Sequence, residues 1–403
     1  MALLAITAKK LFTPREIIQE GLVVIDEGVI RSVGSREELS APAAARLVDL
    51  GERILAPGFV DVHIHGGGGH DVMEATREAL ETVAAMVLRH GTTCFVPTTL
   101  TAAPPVLSKS LEGLGSLIRS WKNRGAKTPA PGGLLAEPVG IHLEGPFLSA
   151  ECRGAHPAGD LQAPSLPLFQ QLQEAAGGCL RILTLAPELE GATELQAAAI
   201  RSGVRVGLGH SNATFRQTET AIAAGASHAV HVFNAMRRFE HRETGILGAV
   251  LTDDRVQAEV IADGVHVSAP ALRLLVRAKG TANILLITDG VSATGMGPGR
   301  FRLGEMEICV EDDPRTGFPA CRNTEGRLAG SVLTQDRAIR NMVDFTDVTL
   351  CEAVRMATLN PARALGMEHR KGCLQPGADA DMVVLEPDGT VAGAMVRGIG
   401  NFL

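Results

Sequence analysis

Eight apolar runs, each closed at or next to its C-terminal end by a polar or titratable residue, constrain this chain more than any other feature. They are FVDVHIH (59–65), CFVPTT (94–99), GIHLEG (140–145), RILTLAPE (181–188), VRVGLGH (204–210), HAVHVFN (228–234), VQAEVIAD (256–263) and ILLITDG (284–290). Strands buried on both faces need such near-continuous apolar runs, and helical patterns fill the gaps, so the chain reads as successive β/α units around a parallel sheet. TREALETVAAMVLRHG ends on glycine, as helices often do, and FRQTETAIAAGA follows Asn212 as an expected N-cap. Eight strands are enough to close a barrel. The run-end residues His65, Thr99, Glu144, Glu188, His210, Asn234, Asp263 and Asp289 would then converge on one mouth, where barrel enzymes carry their chemistry.

The ends of the chain read differently. Residues 1–55 and Ala380–Phe402 carry short strands and turns that can pair with one another. The expected α/β organisation is a (β/α)8 TIM-type barrel over 56–370, with a small β-sandwich domain built from 1–55 plus 371–403. Arg300–Arg327 reads as a hairpin insertion after the eighth run, and helices resume near Leu333. With 45% hydrophobic and 21% charged residues the chain has a globular composition, and its 403 residues hold a barrel plus a smaller partner. A net charge of −7 argues against a general nucleic-acid binder, which needs a basic surface. Seven cysteines, odd in number and without a C-x-x-C, suggest neither a disulfide framework nor a zinc ribbon. The N-terminus has a short apolar run followed by Lys9 and Lys10, the wrong order for a signal peptide, and no later run approaches membrane-spanning length. A cytoplasmic protein acting on a small molecule is expected.

His63 and His65 are separated by one residue on an expected strand, so they share a face and can share a metal, or simply pack as structural histidines. Their company favours metal. Glu144, His210, His231 and Asp289 occupy or adjoin the ends of four other runs, and imidazole with carboxylate suits zinc, iron, cobalt or manganese. Asp289 has two open roles, ligand or carrier of a proton between water and a leaving group. His142 and His228 read as packing or supporting residues, and Gly66–Gly69 as a turn without side chains that lets substrate approach the metal.

The motifs PGFVDVHIHG, HLEGPF, GLGHSNA, HVFNAM, ITDG, LAGS, ATLNPARALG and GADAD resemble the amidohydrolase superfamily, and within it the deacetylases of N-acetylglucosamine 6-phosphate. The likeness runs from about Pro57 to Asp381. It implies hydrolysis of the acetamide to glucosamine 6-phosphate and acetate, in amino-sugar catabolism and cell-wall recycling. It implies Glu144, His210 and His231 as main ligands of a divalent ion, zinc or iron, with His63 and His65 for a second ion and Asp289 as general base and acid. His266 is similar to a histidine that binds substrate and polarises the reacting carbonyl, and His156 to one that contacts the sugar. Asn234 and Ala235 match positions at the phosphate end, and Leu328, Ala329, Gly330 and Ser331 match a loop over the substrate. Arg242 matches an arginine that reaches the phosphate from a neighbouring subunit, which implies a homodimer. Arg237 and Arg238 are expected to face solvent. The alternatives are the galactosamine epimer as substrate, a cyclic amidase, disfavoured by Glu144 where a carboxylated lysine would be needed, and a non-catalytic barrel, disfavoured by the intact ligand set.

Overall fold

The computed structural model describes residues 3–123 and 133–401. Met1, Ala2 and Phe402, which belong to the expected terminal strands, lie outside them. The apolar runs form strands β1 (Phe59–Ile64), β2 (Thr92–Pro97), β3 (Ile141–Glu144), β4 (Leu180–Leu185), β5 (Arg205–Leu208), β6 (His228–Ala229), β7 (Gln257–Val260) and β8 (Ile284–Leu286). β1 and β2 pair in parallel, as do β3 through β8 in chain order. Single parallel bridges link these two sheets at both edges, Thr98 with His142 and Ile64 with Gly290.

Several strands stop short of the runs that encode them. The run 228–234 gives only a two-residue strand, because His231, Phe233 and Ala235 take positive φ values of 31°, 81° and 50°. The run 284–290 likewise ends at Leu286, and Asp289 sits at φ 49°. Backbone in this region is unfavourable for residues with a side chain and cannot continue a ladder.

Helices α1 (Arg77–Arg89), α2 (Pro104–Asn123), α3 (Leu166–Ala175), α4 (Ala192–Arg201), α5 (Phe215–Ala223), α6 (Gly245–Thr252), α7 (Ala269–Lys279) and α8 (Gln335–Phe345) follow the strands in turn. α1 shows why they form where they do. The Thr76 hydroxyl accepts from the Ala79 N–H, Glu78 sits in the first turn and Arg89 in the last, and Leu80, Val83, Ala84 and Val87 bury one stripe. α5 is capped by Thr214 in a reciprocal box with Gln217, not by Asn212; the Asn212 N–H instead donates to Glu188. Fully buried Phe59, Phe95, Phe147, Ile182, Val206 and Leu285 belong to one core between strands and helices, each worth about 1.5–3 kcal/mol of burial.

Both chain ends meet in one eight-stranded sheet. Its order is Ile399–Asn401, Val391–Val396, Met382–Leu385, Ile54–Pro57, Leu4–Phe12, Ile17–Asp26, Val29–Ser35, with Arg46–Asp49 also on Leu4–Phe12. Met382–Leu385 runs antiparallel to Ile54–Pro57, so the two termini are hydrogen-bonded to each other. Leu4, Ile6, Leu11, Val23, Ile30, Leu55 and Met382 give this sheet its own core. Where it meets the parallel strands, Lys371 is 1% exposed, with Nζ 2.7 Å from Glu137, 3.0 Å from Asp379 and 2.6 Å from Asp381. The GADAD motif thus supplies carboxylates to a buried ammonium that bridges the two parts.

The insertion after β8 is a three-stranded antiparallel sheet, Gly299–Leu303, Met306–Asp312 and Pro319–Asn323, rather than a simple hairpin. Among the described residues no helix is long and apolar enough to cross a membrane.

Candidate metal centre

Asp61, His63 and His65 alternate along β1, so all three turn inward, and each is at most 3% exposed. The nitrogen that each histidine turns to the centre is set by the partner of its other nitrogen. His63 Nδ1 lies 3.0 Å from Glu259 Oε2, His65 Nδ1 3.1 Å from the Thr98 carbonyl and His210 Nδ1 3.0 Å from the Cys152 carbonyl. With Nδ1–H donating outward, Nε2 presents its lone pair inward in each of the three rings.

Those nitrogens converge on two carboxylates. Glu144 Oε2 is 3.3 Å from His63 Nε2 and 3.2 Å from His65 Nε2, while its Oε1 is 3.3 Å from His210 Nε2 and 3.0 Å from His231 Nε2. Asp289 Oδ1 is 3.1 Å from His65 Nε2 and 3.6 Å from His63 Nε2. His210 Nε2 and His231 Nε2 face each other at 3.0 Å, a contact two lone pairs would avoid unless they shared a cation or a proton. His63 Nε2 is buried without a hydrogen-bond partner. Side-chain atoms of His63, His65 and Asp289, of His63, Glu144 and His231, and of Glu144, His156 and His210 lie close enough to hold an ion. The donor set fits a divalent metal. Glu137, Asp379 and Asp381 also cluster, but Lys371, Arg397 and Arg370 already pair with them.

The electrostatics follow from burial opposed by pairing. Burial alone would raise the Asp289 carboxyl, but its contact with His65 and the nearby His63 bring it down to about 2. Burial disfavours charge on His65, yet Asp289 and Glu144 raise it to about 9. His210, buried and beside His156, falls to about 4. A metal would compete with protons for these nitrogens.

His156 has the opposite tautomer. Its Nδ1 accepts from the Thr101 backbone N–H at 3.3 Å, so in the neutral ring the proton is on Nε2, 3.5 Å from Glu144. This makes it a donor at the mouth more than a ligand. His266 Nδ1 pairs with Asp263 at 2.6 Å; burial disfavours its charge, but Asp263 holds its pKa above the ordinary histidine value.

A cavity of about 280 Å³ opens onto the centre, lined by His65, Glu144, His156, His210, His231, Asn234, Ala235, His266, Asp289, Leu328 and Gly330 among others. Most of the residues singled out in the sequence therefore meet in one place. His63 lies beneath the cavity, fully buried. Ala329 packs in the apolar cluster of the insertion, and Ser331 is turned away, its hydroxyl donating to the Thr288 carbonyl at 2.6 Å. Arg242 is exposed and does not line the cavity of its own chain.

The glycine run does not line the cavity either. Gly66–Gly67 and His70–Asp71 form a small hairpin, and a Cβ on Gly67 would come within 2.0 Å of Met86 on α1. The Met86 methyl can swing aside, but a Cβ on Gly66 would meet the His70 carbonyl oxygen at 2.3 Å and the Ser292 nitrogen at 2.9 Å, so backbone packing excludes a side chain at Gly66.

Two supporting acids escaped sequence reasoning. Glu259, fully buried on β7, holds His63 and lies 3.5 Å from His228 Nε2. Asp61 accepts from Thr288 Oγ1 at 2.6 Å, and burial pushes it up to about 7. The available signal was an acid inside an otherwise apolar run. His142 packs on His63, ring centroids 4.6 Å apart, and bonds Thr184 at 2.7 Å.

Comparison with known proteins gives the family of the chain. The amidohydrolase family profile matches residues 54–399. The chain is 41% identical to N-acetylglucosamine-6-phosphate deacetylase of Homo sapiens over 361 residues, covering 87% of this chain and 84% of that one. It is 38% identical to N-acetylgalactosamine-6-phosphate deacetylase of Escherichia coli, covering 94% of each. Among solved structures, a mutant N-acetyl-D-glucosamine-6-phosphate deacetylase of Mycobacterium smegmatis in complex with N-acetyl-D-glucosamine-6-phosphate superposes with a TM-score of 0.89 at 35% identity, covering 99% of both chains.

Proposed function

Because the chain belongs to the amidohydrolase family, we propose that this centre hydrolyses the acetamide of N-acetylglucosamine 6-phosphate, giving glucosamine 6-phosphate and acetate. The observation that carries the reading is the convergence of Glu144, His210, His231 and Asp289 on one cavity also lined by Asn234, Ala235 and His266.

Glu144, His210 and His231 would hold a divalent ion, zinc or iron, and His63 and His65 would allow a second. The ion supplies Lewis acidity that makes water a competent nucleophile near neutral pH. Asp289, kept ionised at neutral pH by His65 and His63, takes the proton of the attacking water. It then returns that proton to the leaving amine nitrogen. His266, oriented by Asp263, faces the acetyl oxygen, where negative charge develops in the transition state. His156 donates from Nε2 to the sugar, and Leu328–Gly330 closes over it. Asn234 and Ala235 receive the phosphate end. Arg242, exposed and outside the cavity of its own chain, suits the role of reaching the phosphate of a neighbouring subunit in a homodimer.

The same reading closes the eight strands into a (β/α)8 barrel over 56–370, with 1–55 plus 371–403 as a small sandwich domain, in a cytoplasmic enzyme. The bridges at Thr98–His142 and Ile64–Gly290 support closure, and the sheet shared by both termini supports the second domain.

Acetate release from N-acetylglucosamine 6-phosphate, the unphosphorylated sugar and the galactosamine epimer tests the assignment. The metal-loaded protein should strongly favour the first. Equal rates with and without the phosphate would remove the substrate reading, and a faster rate on the epimer would reassign it.

A further inference from the structure

A phosphate monoester brings nearly two negative charges into the cavity, and in a single chain something must neutralise them. Among the described residues that line it, Arg327 is the one permanent cation; the remaining basic groups are histidines. Its backbone is fixed. The Arg327 N–H donates to Asn323 Oδ1 at 3.0 Å and its carbonyl accepts from the Asn323 N–H at 2.9 Å, across a turn with Gly326 at φ 78°.

Its guanidinium sits at the phosphate end of the proposed site. Nη1 donates to the Gly154 carbonyl at 3.2 Å, and a Cβ on Gly154 would lie 3.6 Å from Ala235 Cβ. Arg327 is thus anchored to a residue that lines the same cavity as Asn234 and Ala235. Among the described residues its only ion pair is with Glu325 at 3.1 Å, and both side chains are about half exposed, at 49% and 56%. An exposed pair of this kind is weak and leaves the arginine available to a better anion. Guanidinium also matches phosphate oxygens in geometry, through two parallel N–H donors.

We propose that Arg327 is a specificity-determining residue, a same-chain cation that binds the substrate's 6-phosphate and complements Arg242 from the other subunit. The inference rests on the phosphorylated amino sugar being the substrate. Arg327 was not among the residues singled out in the sequence, because RLAGS gives no sign of which way its arginine points.

The test measures kcat and KM of the wild type, Arg327→Gln and Arg327→Lys on N-acetylglucosamine 6-phosphate and on unphosphorylated N-acetylglucosamine. Arg327→Gln should raise KM for the phosphorylated sugar about 10- to 100-fold, the worth of a charged hydrogen bond. Its kcat/KM on the unphosphorylated sugar should stay within about twofold, and Arg327→Lys should recover part of the loss. If Arg327 only ties the loop carrying His156 through Gly154, both sugars will suffer alike, and that result overturns the proposal. So does an unchanged KM in Arg327→Gln while the wild type still prefers the phosphorylated sugar. A wild type without that preference overturns the substrate reading, and this inference with it.

Discussion

Glu259 offers a sharp test of how the centre is built. Its carboxylate is fully buried and holds His63 Nδ1 at 3.0 Å, so it selects the tautomer that turns Nε2 toward Glu144 and Asp289. Glu259→Gln keeps an acceptor for that N–H but removes the charge that makes the imidazole more basic. Glu259→Leu removes both and leaves a buried N–H unpaired, at a cost of about 1–3 kcal/mol in folding stability. Loss of such outer partners weakens metal binding about 10- to 100-fold. The glutamine variant belongs at the lower end, about 1.4 kcal/mol, and the leucine variant at the upper, about 2.8 kcal/mol. Competition against a chromophoric chelator at fixed neutral pH reads the affinity directly, and chemical denaturation reads the stability. A leucine variant that holds metal within twofold of wild type would refute the claim that Glu259 orients a ligand.

Asp289→Asn should retain metal content yet lose about 10²- to 10⁴-fold in kcat, the usual worth of a general acid–base group; near-normal turnover would remove that role. Arg242→Gln should raise KM for the phosphorylated sugar with little change in kcat, and an unchanged KM would count against phosphate contact. Lys371→Met removes the ammonium shared by three carboxylates, leaving Glu137 to Arg397, Asp379 to Arg370 and Asp381 to the Arg397 backbone N–H alone, and should cost about 3–5 kcal/mol, read as a lowered Tm without a change in the KM of protein that remains folded. The pH dependence of that cluster has a definite sign. Burial raises Glu137 and Asp379, but Lys371, joined by Arg397 at Glu137 and by Arg370 at Asp379, outweighs it and holds both below their ordinary values of 4.5 and 3.8, so their contribution is complete above those values and fades as pH falls through the lowered ones. Asp381, raised by burial, works in the opposite sense and softens the acid limb. The stability gap between wild type and Lys371→Met should therefore be flat from about pH 5 to neutrality and shrink below about pH 4; a gap that persists at pH 3 would contradict the assignment.

Much of the architecture is legible in the sequence because burial on both faces leaves long apolar runs, and all eight reappear as strands. Their ends are less legible. His231 directly follows Val230 and Asp289 is one threonine beyond Ile287, yet the chain turns to positive φ at both, and periodicity carries no information about that turn. The inward histidines of β1 could be found because alternation places them on one face. Glu259 could not be assigned, since its meaning depends on a partner 196 residues away in the chain. Gly66 was legible as a position without a side chain but not for its reason, which is the backbone of His70 and Ser292.

His210, Asp289 and His231 share a trait with no bearing on which ion they bind: they adopt φ values of 47°, 49° and 31°, which glycine takes freely and residues with a side chain take seldom. Such residues cost on the order of 1–3 kcal/mol each. Glycine at any of them would relax the fold while abolishing the chemistry, so a variant library screened for thermal resistance alone should drift toward inactive proteins at these three positions. The residues that define the centre persist because catalysis is selected, against the preference of the backbone that carries them.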